Sequence, residues 1–377
     1  MTTQTIIDGA ISGPVEEAVG YATTRPLSEL NEALSRGSES WQRLASCPAC
    51  ESPRLGRFAT IRSFAHNRCR DCGFTFVNPI PPDSVLYSFY NSPFYANYRR
   101  RESKQIAVDR YFSASMYTEM SRLAEWLGTD RSISVLDFGC GTGAFLAYLR
   151  EKAGIQNVEG LEISRRGIEI GKRVYGLSIV PTSDQLHSSS FDVVTLIEVI
   201  EHVPEPDVFL KLVAPLVKAG GRLLITTPSV DNLSGRLTPR HCRHYTAPSH
   251  VSLFTPAAMK RLLERAGFTI ERIEVDVFDV RIEEWLRDRA FNLDFLGPQH
   301  DQDGSDLLFR PNWLGRSLGF SASRNAAVRA GRLSRFVNRV AAGVLRRTKY
   351  SHTSDHLYVL ARRDSATAPS ADTTDKR

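Results

Sequence analysis

Four cysteines, Cys47, Cys50, Cys69 and Cys72, form two C-x2-C pairs separated by 18 residues. Thiolates spaced in this way converge on a tetrahedral zinc ion when each pair sits on a tight turn. The alternative is a redox disulfide, which is rare in a reducing compartment. Four thiolates close the coordination sphere, so such a zinc is structural, and a module this small would draw folding energy from it. A second group is Glu201 and His202, after the apolar run "FDVVTLIEVI". Imidazole exchanges a proton near neutral pH, which makes His202 the first candidate base; capping the next helix is its structural alternative. Further on, "RHCRHYTAPSHVSLFT" holds His241, His244, Tyr245 and His250. Their spacing matches no common zinc ligand set. A third group is "VLDFGCGTGAFL" (135–146), where Asp137 precedes glycines at 139, 141 and 143.

Each of these groups needs elements to position it. "ISVLDF" reads as a buried strand and "GAFLAYLREKAG" as a helix, so the glycines form the turn between them. Ordered glycine costs backbone entropy, so a ligand that must approach the backbone is the expected reason for three of them. Backbone N–H groups at the helix start hold an anion. The dinucleotide fingerprint is G-x-G-x-x-G, and the pattern here is D-x-G-x-G-x-G. An acid beside the loop repels a pyrophosphate but suits an amino acid's ammonium group, as in S-adenosylmethionine. The second strand, in "NVEGLEI", ends at Glu162, a carboxylate able to accept both hydroxyls of a ribose. Beyond it, strands and helices alternate: "RRGIEIGKRVYG" and "DVFLKLVAPLVKAGG" read as helices, "LSIV", "FDVVTLIEVI" and "GRLLITTP" as strands. "PAAMKRLLERAGF" then reads as a helix, and "TIERIEVDVFDV" and "DHLYVLARR" as strands. This alternation predicts a doubly wound, mostly parallel α/β sheet with helices on both faces.

"VLDFGCGTGAFL", "VEGLEIS", "FDVVTLIEVIEHVPEP" and "GGRLLITTPS" resemble, in order and spacing, the motifs of class I S-adenosylmethionine-dependent methyltransferases. The resemblance covers about 130–280. It implies a seven-stranded Rossmann-like methyltransferase sheet in which Asp137, Gly139, Gly141 and Gly143 hold the methionine end. It also implies that Glu162 takes the ribose, Ser183 and Asp184 lie at the adenine, and Glu198 faces the methyl donor. In related sugar methyltransferases a Glu-His pair at the place of Glu201 and His202 is catalytic, and His250 stands where relatives often carry a histidine. The cysteine region through "CGFTFVNPIPP" is similar to the zinc ribbon found on bacterial methyltransferases of sugar and polysaccharide pathways. The activity so implied is O- or C-methylation of a sugar, a glycan intermediate or a related small molecule. An RNA methyltransferase that clamps RNA with the ribbon, and a cofactor-binding protein without turnover, are the alternatives.

Composition bounds the remainder. The chain has 377 residues, 42% hydrophobic and 24% charged, with a formal net charge of +6. These are ordinary values for a globular protein, and the charge alone does not point to nucleic acid. No run approaches 18 apolar residues, and the start lacks a basic region ahead of an apolar one, so a cytoplasmic location is expected. The expected organisation is 1–40 mostly disordered, apart from a short helix at Leu27, Leu30 and Leu34, and 41–80 zinc ribbon. A connector with helices follows at 81–130, the methyltransferase core at 131–281, and a basic helical insertion at 282–354. The last strand lies at 355–363 and a disordered tail at 364–377. Residues 307–354 hold ten Arg and Lys and no acid. A helix at 324–347 there either lies on an anionic membrane surface or packs on its own domain. The arginines of the ribbon form no basic stripe, so nucleic acid is not expected as a partner. The expected partner is a small-molecule or glycan acceptor.

Overall fold

The computed structural model describes residues 27–90, 92, 114–231, 242, 244–276 and 356–365. The expected basic insertion, with its 324–347 helix, and most of both termini lie outside these residues. Two compact units are present, one of 1–228, 246–274 and 357–377, the other of 229–245 and 275–356. Among the described residues of the second unit, His244 meets His356 edge-on at 5.6 Å between ring centroids. Among the described residues no helix is long and apolar enough to cross a membrane.

The larger sheet is built from seven strands. They are β4 (Val135–Phe138), β5 (Val158–Leu161), β6 (Ile179–Val180), β7 (Phe191–Ile197), β8 (Val217–Pro228), β10 (Phe268–Asp276) and β11 (His356–Arg363). Their order is β10-β11-β8-β7-β4-β5-β6. β4 pairs in parallel with β5 on one side and β7 on the other, so the strand order reverses beside β4, where open α/β sheets bind ligands. Helix α4 (Ala144–Glu151) follows β4 and buries Phe145, Leu146, Tyr148 and Leu149. They join Leu123, Leu127, Val135, Ile155, Val193 and Leu224 in one apolar core. Leu123 and Leu127 are supplied at the end of α3 (Ala114–Trp126).

Two elements differ from the sequence reading. β7 stops at Ile197, because Glu198 adopts the left-handed φ of 55° and Ile200–His202 is a 3-10 turn. An apolar run carries no mark of that reversal. Helix α6 (Pro206–Val213) ends before Pro215, and Val217 to Gly221 belong to β8 instead of the helix. Proline has no N–H to continue the helical ladder. The short helix expected at Leu27, Leu30 and Leu34 is α1 (Leu27–Leu34), anchored where the buried Asn31 Nδ2 donates to the Ala247 carbonyl at 3.2 Å.

The cysteine region forms a second sheet, β1 (Leu55–Ile61), β2 (Phe64–Cys69) and β3 (Thr75–Val77), closed by β9 (Ser252–Leu253). β1 and β2 are joined by Arg62-Ser63, both at positive φ, 50° and 72°, the backbone of a tight hairpin turn. β9 comes from the chain just before helix α7 (Pro256–Arg265) and pairs antiparallel with β3. The two regions are therefore welded by strand addition. Phe74 packs on Phe254 with ring centroids 4.9 Å apart. Arg265 on α7 donates to the Pro48 carbonyl at 2.9 Å and pairs with Glu51. Thr255 caps α7 by accepting from Ala258 N at 3.1 Å, while its hydroxyl donates to the Cys72 carbonyl at 2.6 Å.

Thr255→Val keeps the shape but removes both bonds. Loss of an N-cap and of one buried hydrogen bond is expected to cost about 1–3 kcal/mol, read by urea denaturation. A change inside measurement error would show that this link does not hold the cysteine region to α7.

Candidate active site

The turn after β4 is set by backbone hand and by packing. Gly139 and Gly143 have φ of 75° and 79°, a region that excludes most side chains. A Cβ on Gly139 would sit 2.7 Å from Val199 Cγ2, and one on Gly143 2.5 Å from Leu177 Cδ1. This corrects the expectation that a ligand's approach demands every glycine: at these two positions the protein's own side chains fill the space. Gly139 N donates to the Leu161 carbonyl at 2.7 Å, which ties the turn to β5.

Glu162 follows β5 and is buried. Its Oε2 accepts from Gly141 N and its Oε1 from Ser164 N, both at 2.7 Å. The carboxylate is thus fixed beside the turn. Asp137 is 3% exposed. It pairs in register with Thr195 of β7, whose Oγ1 donates to Asp137 Oδ1 at 2.6 Å. Burial, with Glu162 adding to it, pushes the Asp137 carboxyl up to about 7. Two carboxylates and a helix start at one turn form an environment for a group carrying both an ammonium and a carboxylate. The donor set fits S-adenosylmethionine, and a dinucleotide's pyrophosphate would meet Asp137 unfavourably. Ser183 and Asp184 lie in the 3-10 turn Ser183–Gln185 after β6, Asp184 exposed. Beside them Thr182 Oγ1 is buried without a hydrogen-bond partner, a polar atom that the sequence reading passed over.

At the carboxyl end of β7 a polar cluster gathers. Glu198 N donates to the Thr226 carbonyl at 3.0 Å, and Thr226 Oγ1 donates to Glu198 Oε1 at 3.2 Å. Glu201 is 0% exposed in its side chain. Its Oε2 accepts from Thr227 Oγ1 at 2.9 Å, and its Oε1 has no hydrogen-bond partner. Burial, with the Glu198 charge adding to it, pushes the Glu201 carboxyl well above the usual carboxylate range. His202, 31% exposed in its side chain, places Nε2 3.7 Å from Glu201 Oε1. Its Nδ1 lies 2.8 Å from the Ser249 carbonyl and 3.1 Å from the Tyr90 hydroxyl. A carbonyl only accepts, so Nδ1 carries a hydrogen. The ring of His250 stands 4.9 Å from that of His202, at 75°. The structure therefore brings Glu201, His202 and His250 together. Tyr90, on helix α2 (Asp83–Tyr90), joins them from a stretch that reads in sequence only as an aromatic connector. His241 lies outside the described residues, and His244 belongs to the second unit.

The four cysteines converge as well. Cys47 Sγ is 3.6 Å from Cys72 Sγ, and Cys50 Sγ 3.6 Å from Cys69 Sγ. All four sulfurs lie within 4.8 Å of one another. Tetrahedral zinc–thiolate bonds of about 2.3 Å separate neighbouring sulfurs by about 3.8 Å, so the set fits such an ion. The hydrogen bond with Cys72 and burial push the Cys47 thiol up, a cost that a bound cation would offset.

The Asp137 carboxyl gives a signed prediction. Moving its pKa from 3.8 to about 7 corresponds to about 4 kcal/mol between the two protonation states. A folded-state pKa raised above the unfolded one leaves stability intact below about 4 and removes it as pH rises through about 7. Without ligand, Asp137→Asn is therefore expected to exceed wild type in chemical-denaturation stability at pH 8, with the gap closing towards pH 4. Equal stability at pH 8, or a gap that widens in acid, would contradict the burial account.

Comparison with known proteins agrees with this geometry. Residues 108–273 match the family described as "Methyltransferase domain". The ubiquinone biosynthesis O-methyltransferase of Xanthomonas axonopodis pv. citri is 30% identical over 178 residues, spanning 41% of this chain and 69% of the relative. Methyltransferase GfsG of Streptomyces halstedii is 30% identical over 165 residues, spanning 40% of this chain and 57% of the relative. A solved S-adenosylmethionine-dependent methyltransferase from Archaeoglobus fulgidus overlays 65% of this chain and 93% of its own, at 18% identity and a TM-score of 0.38. With the glycine turn, the buried acids and the β6-β5-β4-β7-β8-β11-β10 order of its sheet now joined by these matches, the chain belongs to the S-adenosylmethionine-dependent methyltransferases.

Proposed function

We propose that this methyltransferase acts on a hydroxyl oxygen of a sugar, a glycan intermediate or a related small molecule. The observation that carries the reading is the Glu201–His202–His250 cluster. It lies one turn beyond β7, and Val199 between them packs on the glycine turn. Relatives named as O-methyltransferases and the resemblance to sugar-pathway enzymes support an oxygen acceptor.

When bound, S-adenosylmethionine supplies an electrophilic methyl on a sulfonium. The chain's part is to align and to deprotonate. Glu162, pinned by Gly141 N and Ser164 N, offers fixed acceptors to ribose hydroxyls. Asp137 and the N-terminal end of α4 hold the charged methionine end. Proximity and alignment of this kind supply much of the rate of an in-line displacement. A neutral hydroxyl must also lose its proton, and the cluster that includes His202 Nε2 is placed to draw it off.

The cysteine set is read as a structural zinc site, supported by the sulfur separations. In this reading the ion ties the turn at Cys47–Cys50 to the end of β2 and the turn at Cys72, and has no open position for chemistry.

The direct test is transfer of radiolabelled methyl from S-adenosylmethionine to a panel of nucleotide sugars, glycosides and RNA. Label is expected in a hydroxylated small molecule, with His202→Ala lowering kcat by about 100-fold or more. Label in RNA alone would overturn the acceptor class. In the same preparations Cys69→Ser is expected to lose one zinc per chain that His202→Ala retains, by elemental analysis.

A further inference from the structure

We infer that Ser252 is a positioning residue for methyl transfer, the side chain through which the four-cysteine sheet holds the turn that carries Glu201 and His202. The inference rests on the methyl-transfer reading and goes beyond it, because it makes the state of a remote structural site a determinant of turnover. Ser252 is the first residue of β9 and is 0% exposed. Its Oγ donates to the Val203 carbonyl at 2.6 Å, and its backbone pairs with Phe76 of β3.

The preceding residue repeats the pattern. Val251 N donates to the Glu201 carbonyl at 2.9 Å, and the Val251 carbonyl accepts from Val77 N at 2.9 Å. Residues 251 and 252 therefore bond to β3 on one side and to the turn at 200–203 on the other. That turn is a three-residue 3-10 segment, whose own hydrogen-bond geometry is poor. It also follows Glu198, held at a left-handed φ of 55°, a conformation that persists only where the surroundings impose it. The position of the turn thus depends on what β9 supplies. Val251 acts through its main chain, so Ser252 is the link that a side-chain substitution removes.

The other side of the link ends at the cysteines. β3 pairs antiparallel with β2, whose last residue is Cys69. Helix α7, which follows β9, touches both cysteine turns. Thr255 at its start donates to the Cys72 carbonyl, and Arg265 in its last turn donates to the carbonyl of Pro48, between Cys47 and Cys50. β9 and α7 are therefore fixed against the two turns together. If the cysteine turns part, β3 and β9 lose their anchor, and the shift passes through Val251 and Ser252 to the carbonyls of Glu201 and Val203. Packed strands and hydrogen bonds of this kind carry coupling between separate sites. A displacement of about 1 Å at a reacting geometry costs roughly 100-fold in rate, so a small shift of the turn is enough.

The experiment uses the full chain purified with zinc, as wild type, Ser252→Ala, Ser252→Thr, Cys69→Ser and the double variant Ser252→Ala/Cys69→Ser. Each is read for S-adenosylhomocysteine affinity by calorimetry, for kcat, and for the His202 ring resonance by NMR, assigned by its absence in His202→Ala. Ser252→Ala is expected to move that resonance and to lower kcat by about 10-fold or more, while S-adenosylhomocysteine affinity stays unchanged. Ser252→Thr, which restores a hydroxyl, should recover both. Cys69→Ser should move the same resonance, and the double variant should move it no further, because changes on one path do not add. A resonance unmoved in Ser252→Ala, or two displacements that simply add, overturns the inference. If Cys69→Ser loses S-adenosylhomocysteine binding altogether, the serine series decides, and a threonine variant no closer to wild type than alanine overturns it. If wild-type protein methylates no acceptor, the transfer reading falls, and the resonance in Ser252→Ala and Ser252→Thr still decides the link.

Discussion

The structure turns on one paired contact, Asp137 of β4 against Thr195 of β7. It sits where the sheet reverses its strand order, so the chain leaves β4 into open space instead of over a neighbouring strand. The left-handed backbone at Gly139 and Gly143 then folds the turn onto Val199 and Leu177. Gly141 N is thereby delivered to Glu162. An acid kept in the core at this point raises its own pKa and destabilises the empty fold. Such a group persists where a ligand compensates for it, and in the proposed reading that ligand is the charged end of S-adenosylmethionine.

A second dependency runs through residues 249–255. Within seven residues the chain orients His202 through the Ser249 carbonyl, supplies His250 and donates from Val251 N to the Glu201 carbonyl at 2.9 Å. It then pairs with β3, packs Phe254 against Phe74 and binds the Cys72 carbonyl through Thr255. The four-cysteine region and the Glu201–His202–His250 rim thus meet through one short segment. This gives the small sheet a task beyond recognition of a partner: it holds the strand that positions the rim. Strand addition suits that task, since main-chain hydrogen bonds fix register without constraining side chains.

Some of this was legible in the sequence because it is local. The D-x-G-x-G-x-G turn, Glu162 at the second strand's end, and the two C-x2-C pairs each declare themselves within a few residues. The alternation of apolar runs gave the sheet and its helices. What stayed hidden depends on distant partners. β9 is two residues long and looks like loop, since its strand character comes from β3 far away in sequence. Tyr90 reads as one aromatic among many until folding brings it to His202. The left-handed Glu198 has no compositional mark, because the strain at that residue is sustained by its surroundings. The glycines were read for the right motif, yet two of them answer first to Val199 and Leu177.

The central claim is that the turn after β4, with Asp137 and Glu162, forms a pocket for S-adenosylmethionine and not for a dinucleotide. Calorimetric titration of the wild-type chain with S-adenosylhomocysteine, and separately with NAD, tests it most directly. The account predicts saturable one-to-one binding of the first in the micromolar range and no heat of binding from the second. Binding of NAD in preference, or no binding of S-adenosylhomocysteine, would contradict it.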